Sequence, residues 1–153
     1  MHIRPAIPDD ADGMSRVLVA LTAAGLRTRP DSADFALQTY IAPPDGILCS
    51  VATDDDGTIL RLQSLKRAVA GNPYGVTPGW GIIGTHIHPA AARRGIGAAL
   101  FAATEAAARA AGLTDVDATI GADNAGGLAY YEAMGFRTYR QMDDAICKRL
   151  SLG

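Results

Sequence analysis

No apolar run approaches the roughly 18 residues that would mark a membrane-spanning helix, so a spanning segment is not expected. Cysteine is scarce: Cys49 and Cys147 lie far apart, match no metal spacing, and read as reduced thiols rather than a disulfide framework. Charge of either sign is near balance, with 14 Lys and Arg against 16 Asp and Glu for a net −2. That balance excludes a general attraction to nucleic acid or anionic lipid, so an anionic partner would have to be small and locally bound. Aromatic residues make up only 6% of the chain, and alanine carries much of its apolar content, which predicts closely packed elements. No G-x-S-x-G elbow, Walker A sequence, H-E-x-x-H helix or EF-hand loop is present. The opening MHIRPAIPDD places charge where a signal peptide needs an apolar run, so a cytoplasmic location is expected.

What is present suits one domain over residues 1–153, long enough to bury a core without metal or disulfide. A short strand is expected at 2–6, then a helix capped by Asp9 or Asp10 with Met14, Val17, Leu18 and Leu21 on one face. A second helix, capped by Asp31 or Ser32, should break at Pro43–Pro44. Strands are expected at 46–53 and 58–69 around the turn Asp54–Gly57, and at 80–87 after the loop GNPYGVTPG. A helix over 95–111 stopped by Gly112, a strand at 115–120, a helix from Asp123 or Asn124 to Met134, and a closing strand pair at 136–141 and 145–150 complete the order. Strands that come first as a hairpin group and later alternate with helices imply an α/β fold, a mixed sheet with helices on both faces.

The chemistry concentrates in HPAAARRGIGAALF, His88 to Phe101. Glycines just before a helix leave its unpaired amides open to an oxyanion, and Arg93 and Arg94 add charge, which together make a phosphate cradle. A dinucleotide fold fits poorly, because Pro89 to Arg94 separate the strand from the glycines and Asp115 and Asp117 open the next strand rather than close it.

The stretch HIHPAAARRGIGAALF followed by NAGGLAYYEAMGF resembles the GCN5-related N-acetyltransferase (GNAT) superfamily, over nearly the whole chain and most specifically from Ile87 to Phe136. The resemblance implies the acyl-CoA N-acyltransferase fold, α/β (α+β) with a mixed, mostly antiparallel sheet, and acetyl-CoA as cosubstrate without a metal. By position, the strand backbone at Thr85 and Ile87 would pair with the pantetheine arm. Arg93, Arg94, Gly95, Ile96, Gly97 and Ala98 would surround the pyrophosphate, Asn124 would contact the arm, and Tyr131 would face the thiol. One departure is Ala92, where the family usually has Arg or Gln. The implied reaction is direct acetyl transfer to a primary amine of a small molecule or peptide; a homodimer is a family-level expectation, and a non-catalytic acyl-CoA-binding module is the rival reading.

Three tasks follow: a neutral amine, a polarised carbonyl and a protonated leaving thiolate. Tyr131, a phenol that is protonated at neutral pH, suits the third, with Tyr130 competing for the role. A strand N–H at 85–87 would serve the second. For the first, the strand WGIIGTHI carries no carboxylate, which leaves His86 and His88, on one strand face by alternation, as candidate bases. As metal ligands the two histidines would lack a third partner. Neutralising a lysine-like amine at pH 7 costs about 4.6 kcal/mol, an α-amino group only about 1–1.4 kcal/mol, so the site leans towards an amine of low pKa.

Overall fold

The computed structural model describes residues 1–91 and 96–153. Its elements are β1 (His2–Pro5), α1 (Ala11–Ala23), α2 (Ala33–Ala36), β2 (Gly46–Thr53), β3 (Ile59–Arg67), β4 (Gly81–Ile87), α3 (Gly97–Ala110), β5 (Asp115–Gly121), α4 (Ala125–Ala133), β6 (Arg137–Gln141) and β7 (Ala145–Ser151). The seven strands form one sheet in the order β1-β2-β3-β4-β5-β7-β6. Every neighbouring pair is antiparallel except β4 and β5. The fold is therefore the mixed, mostly antiparallel α/β arrangement read from the sequence.

Helices cover both faces. On one, Met14, Val17 and Leu18 of α1 pack against Val51 and Leu62, with Tyr40 and Cys49 in the same cluster. On the other, Phe101 of α3 and Tyr131 of α4 pack with Phe136 against Leu65, Ile83, Val116, Ala118 and Ile120. Full burial of a Leu or Val side chain contributes about 1.5–3 kcal/mol, more than any difference in helix propensity, so these seams rather than local preference hold the helices.

Local chemistry departs from expectation at Asp10 and in the second helix, and β5 draws polar residues inward. Asp10 stands at the start of α1 but does not cap it; its carboxylate accepts from Ile7 N–H at 2.8 Å and from both terminal nitrogens of Arg4 at 2.8 Å. The second helix is one α-turn capped by Ser32, which then widens into a π-helical turn over Leu37–Ile41 and buries Tyr40. In β5 the polar alternates are not a solvent face. Asp117 is fully buried and accepts from Tyr139 and Thr119, and Asp115 accepts from Arg149 at 2.7 Å. Helices α3 and α4 end where Gly112 and Gly135 take positive φ.

Candidate active site

The parallel pairing of β4 with β5 has two rungs among the described residues, Gly81–Val116 and Ile82–Asp117. Beyond them the strands part. His88 N–H donates to Leu60 C=O, directly opposite in the β3–β4 register. By antiparallel alternation the backbone groups of Ile83, Thr85 and Ile87 therefore point away from β3, into the gap beside β5. A cavity of about 960 Å³ runs through this gap to both faces of the sheet.

Gly97 and Ala98, the first residues of α3, line one end. Their amides have no acceptor within the helix. Asn124, Gly126 and Gly127 at the start of α4 line the same end. Asn124 caps α4 by accepting from Gly127 N–H at 3.0 Å, an arrangement that contributes about 1 kcal/mol.

Tyr130 and Tyr131 both reach the gap from α4. The Tyr131 hydroxyl stands 2.7 Å from Thr85 Oγ1. Burial raises its pKa above the ordinary phenol value, outweighing the Thr85 hydrogen bond, so it holds its proton at neutral pH. The Tyr130 hydroxyl donates to Gly97 C=O at 2.8 Å and accepts from Gln63 Nε2 at 3.0 Å. Gln63 also donates to Thr85 Oγ1 at 2.9 Å and accepts from Thr104. Fully buried on β3, it ties α3, α4 and β4 together.

On the opposite face of β4, His86 lines the cavity against Tyr40, with ring centroids 5.1 Å apart. Its Nε2 is buried and has no hydrogen-bond partner among the described residues. Burial, with the charges of Arg27 and Arg29, pushes its pKa down to about 3. Arg27, Arg29 and Tyr74 continue this wall. Among the described residues the lining holds no Asp or Glu.

A model of the acetyltransferase (GNAT) family matches residues 20–136. The chain belongs to that family. Among curated GNAT relatives, the mycothiol acetyltransferase of Clavibacter michiganensis subsp. michiganensis (strain NCPPB 382) is 35% identical over 134 residues, 84% of this chain; the chain spans 40% of that relative's length. Among solved structures, a GCN5-related N-acetyltransferase from Kribbella flavida superposes with a TM-score of 0.80 at 18% identity, covering 99% of this chain and 97% of the other. A GNAT superfamily phosphinothricin acetyltransferase from Sinorhizobium meliloti, in complex with acetyl-CoA, gives 0.80 at 20% identity, covering 99% and 88%.

Set on this GNAT frame, the residues singled out in the sequence separate. Thr85, Ile87, Gly97, Ala98, Asn124, Tyr131 and His86 all line one cavity. Ile96 caps α3 without joining the lining. Arg93, Arg94 and Gly95 lie outside the described residues. His88 sits past the end of β4, where its Nδ1 accepts from Ala90 N–H, and it does not join His86 in the lining. Trp80 packs its ring at a tilt against Tyr139 and under Arg149, whereas Tyr74 lines the cavity. Gln63, Thr104, Arg27, Arg29 and Tyr40 were not legible as site residues. A lone Gln within a hydrophobic strand, and two arginines in LRTRP between helices, were the available signals.

Proposed function

We propose that the chain transfers an acetyl group from acetyl-CoA to the primary amine of a small molecule or peptide, by direct attack with both substrates bound. The observation that carries this reading is the Tyr131 hydroxyl, held by Thr85 at the parting of β4 and β5. Acetyl-CoA fits the residues present. The amides at the start of α3, which have no acceptor within the helix, suit a diphosphate, and the outward backbone groups of Thr85 and Ile87 suit the amides of an extended arm.

The protein's own groups then divide the work. Thr85 and Tyr131 share a hydrogen bond in which either hydroxyl can donate; with Gln63 donating to Thr85 Oγ1 and Thr85 donating to Tyr131, the Tyr131 proton is left to meet the departing sulfur. Tyr130 is not the donor, because its proton is committed to Gly97 C=O. An N–H on the free edge of β4 would hold the charge that develops on the carbonyl oxygen. Neither Cys49 nor Cys147 lines the cavity, and burial pushes the Cys49 thiol up to about 12, which supports direct transfer over an acyl-enzyme. With His86 held at about 3 and no carboxylate in the described lining, the site favours an amine that arrives neutral.

Release of free thiol from acetyl-CoA, measured with a panel of amines at several pH values, tests the proposal. Steady turnover is expected, with α-amino acceptors ahead of lysine-like ones. Tight acetyl-CoA binding in a calorimeter with no turnover on any amine would instead make the chain an acyl-CoA-binding module.

A further inference from the structure

We propose that the wall formed by Arg27, Arg29 and His86 is an anion subsite that binds a carboxylate on the acceptor, making the preferred substrate an amino acid or a comparably small amine bearing a carboxylate. This rests on the acetyl-transfer reading for its chemistry, but its geometry is independent of that reading.

Unpaired charge is the first observation. Arg27 is 8% exposed, so its guanidinium is largely withdrawn from water. Burying a cation without a counter-charge is costly. Elsewhere, buried Lys148 has such a partner, bonding Glu132 at 2.6 Å. Among the described residues Arg27 and Arg29 form no such pair. Arg27 spends its Nε and one terminal nitrogen on Pro30 C=O, and that same nitrogen on the Tyr40 hydroxyl. Neutral oxygens and aromatic faces orient these groups without neutralising them: Arg27 stands over Phe35 and Tyr40, Arg29 over Phe35 and Tyr74.

Position is the second. Both arginines line the cavity that holds Tyr131, as does His86, next to Thr85 on β4. The buried His86 Nε2 lacks a protein partner among the described residues, and a side chain on Gly84 would begin 3.5 Å from it. A carboxylate held here has planar, charge-assisted donors from two guanidinium groups. Pairing also removes the carboxylate's hold on the proton of its own ammonium group, which helps the amine become neutral. Diamines and polyamines would bring a second positive charge to a wall that is already positive, so they are disfavoured.

Two readouts test this. First, leucine, leucinamide and a linear diamine are compared as acceptors, with rates expressed per neutral amine. Leucine is expected to exceed leucinamide in kcat/KM by about tenfold or more. Arg29→Gln, at an exposed position, should collapse that ratio mainly through KM for leucine, and Arg29→Lys should restore part of it. Second, binding of N-acetylleucine and N-acetylleucinamide is measured by NMR titration, which needs no turnover. Selective binding of the carboxylate form, lost in Arg29→Gln, upholds the subsite even if no amine is acetylated, in which case only the catalytic reading fails. Equal binding of the two probes, or a leucine preference that Arg29→Gln leaves unchanged, overturns it.

Discussion

Tyr130 lays its ring over the bare α-carbon of Gly97 and donates its hydroxyl to that residue's carbonyl at 2.8 Å. A methyl group added at Gly97 would stand 2.7 Å from Tyr130 Cε1, inside any real contact. The glycine therefore serves the protein's own packing as well as any phosphate. Gly97→Ala is expected to displace Tyr130 and cost about 1–3 kcal/mol in denaturant unfolding. Tyr130→Leu in the same chain should recover part of that loss, because the clash is with the ring. A fully additive double-mutant cycle would show that the contact does not matter.

Tyr131→Phe keeps the aromatic packing against Phe136 while removing the proton. It should lower kcat about 10²–10⁴-fold and leave KM for acetyl-CoA within a few-fold. Tyr130→Phe should weaken catalysis far less, since that hydroxyl is already committed. Because burial raises the Tyr131 pKa, no alkaline limb from this residue is expected below pH 10 in the wild-type rate profile.

Gln63 is fully buried and bonded to Thr85, Tyr130 and Thr104. Gln63→Leu preserves volume but strips polar partners from three elements. A loss of about 1–3 kcal/mol is expected, read as a lower denaturant midpoint at unchanged slope. Activity should fall as well, because Thr85 and Tyr131 lose their fixed orientation.

Two groups set the acid side of the stability profile in separate windows. His86 has its pKa lowered from 6.5 to about 3, so between those values the unfolded chain binds the extra proton and stability declines as pH falls. His86→Gln should flatten that slope. Asp10 is lowered from 3.8, chiefly by its Arg4 hydrogen bond; its contribution is complete above that value and is lost as pH drops through the folded pKa. Asp10→Asn should destabilise the protein at neutral pH and remove the further decline below about pH 4. Thermal melts across pH 3–8 check both.

Reading from residues to fold succeeded where the signal was local. Ser32 capped, Gly112 and Gly135 stopped helices, and Gly57 turned the hairpin where the sequence placed them. The motif stretch also pointed to a strand, two helix starts and two tyrosines that line one cavity. Distant partners decided what it missed. Asp117 is buried beneath a partner no local pattern announces: Tyr139, 22 residues on, donates to it. Tyr130 differs from Tyr131 in its bond to Gln63, which is 67 residues from it in the chain. Arg27 and Arg29 acquired meaning only beside Tyr40, whose position depends on a widened turn that no periodicity announces.

The two-rung join of β4 to β5 makes the sheet a pair of leaves fastened at one corner. Much of what spans the rest of the seam is side chain rather than ladder, notably the Thr85–Tyr131 and Gln63–Tyr130 bonds. Fraying should therefore begin along this line, and within 118–121 the amides that face the seam should exchange before those bonded to β7. A molecule threaded through the seam acts as a hinge pin: it lends the two leaves a stiffness that the polypeptide alone leaves unfinished.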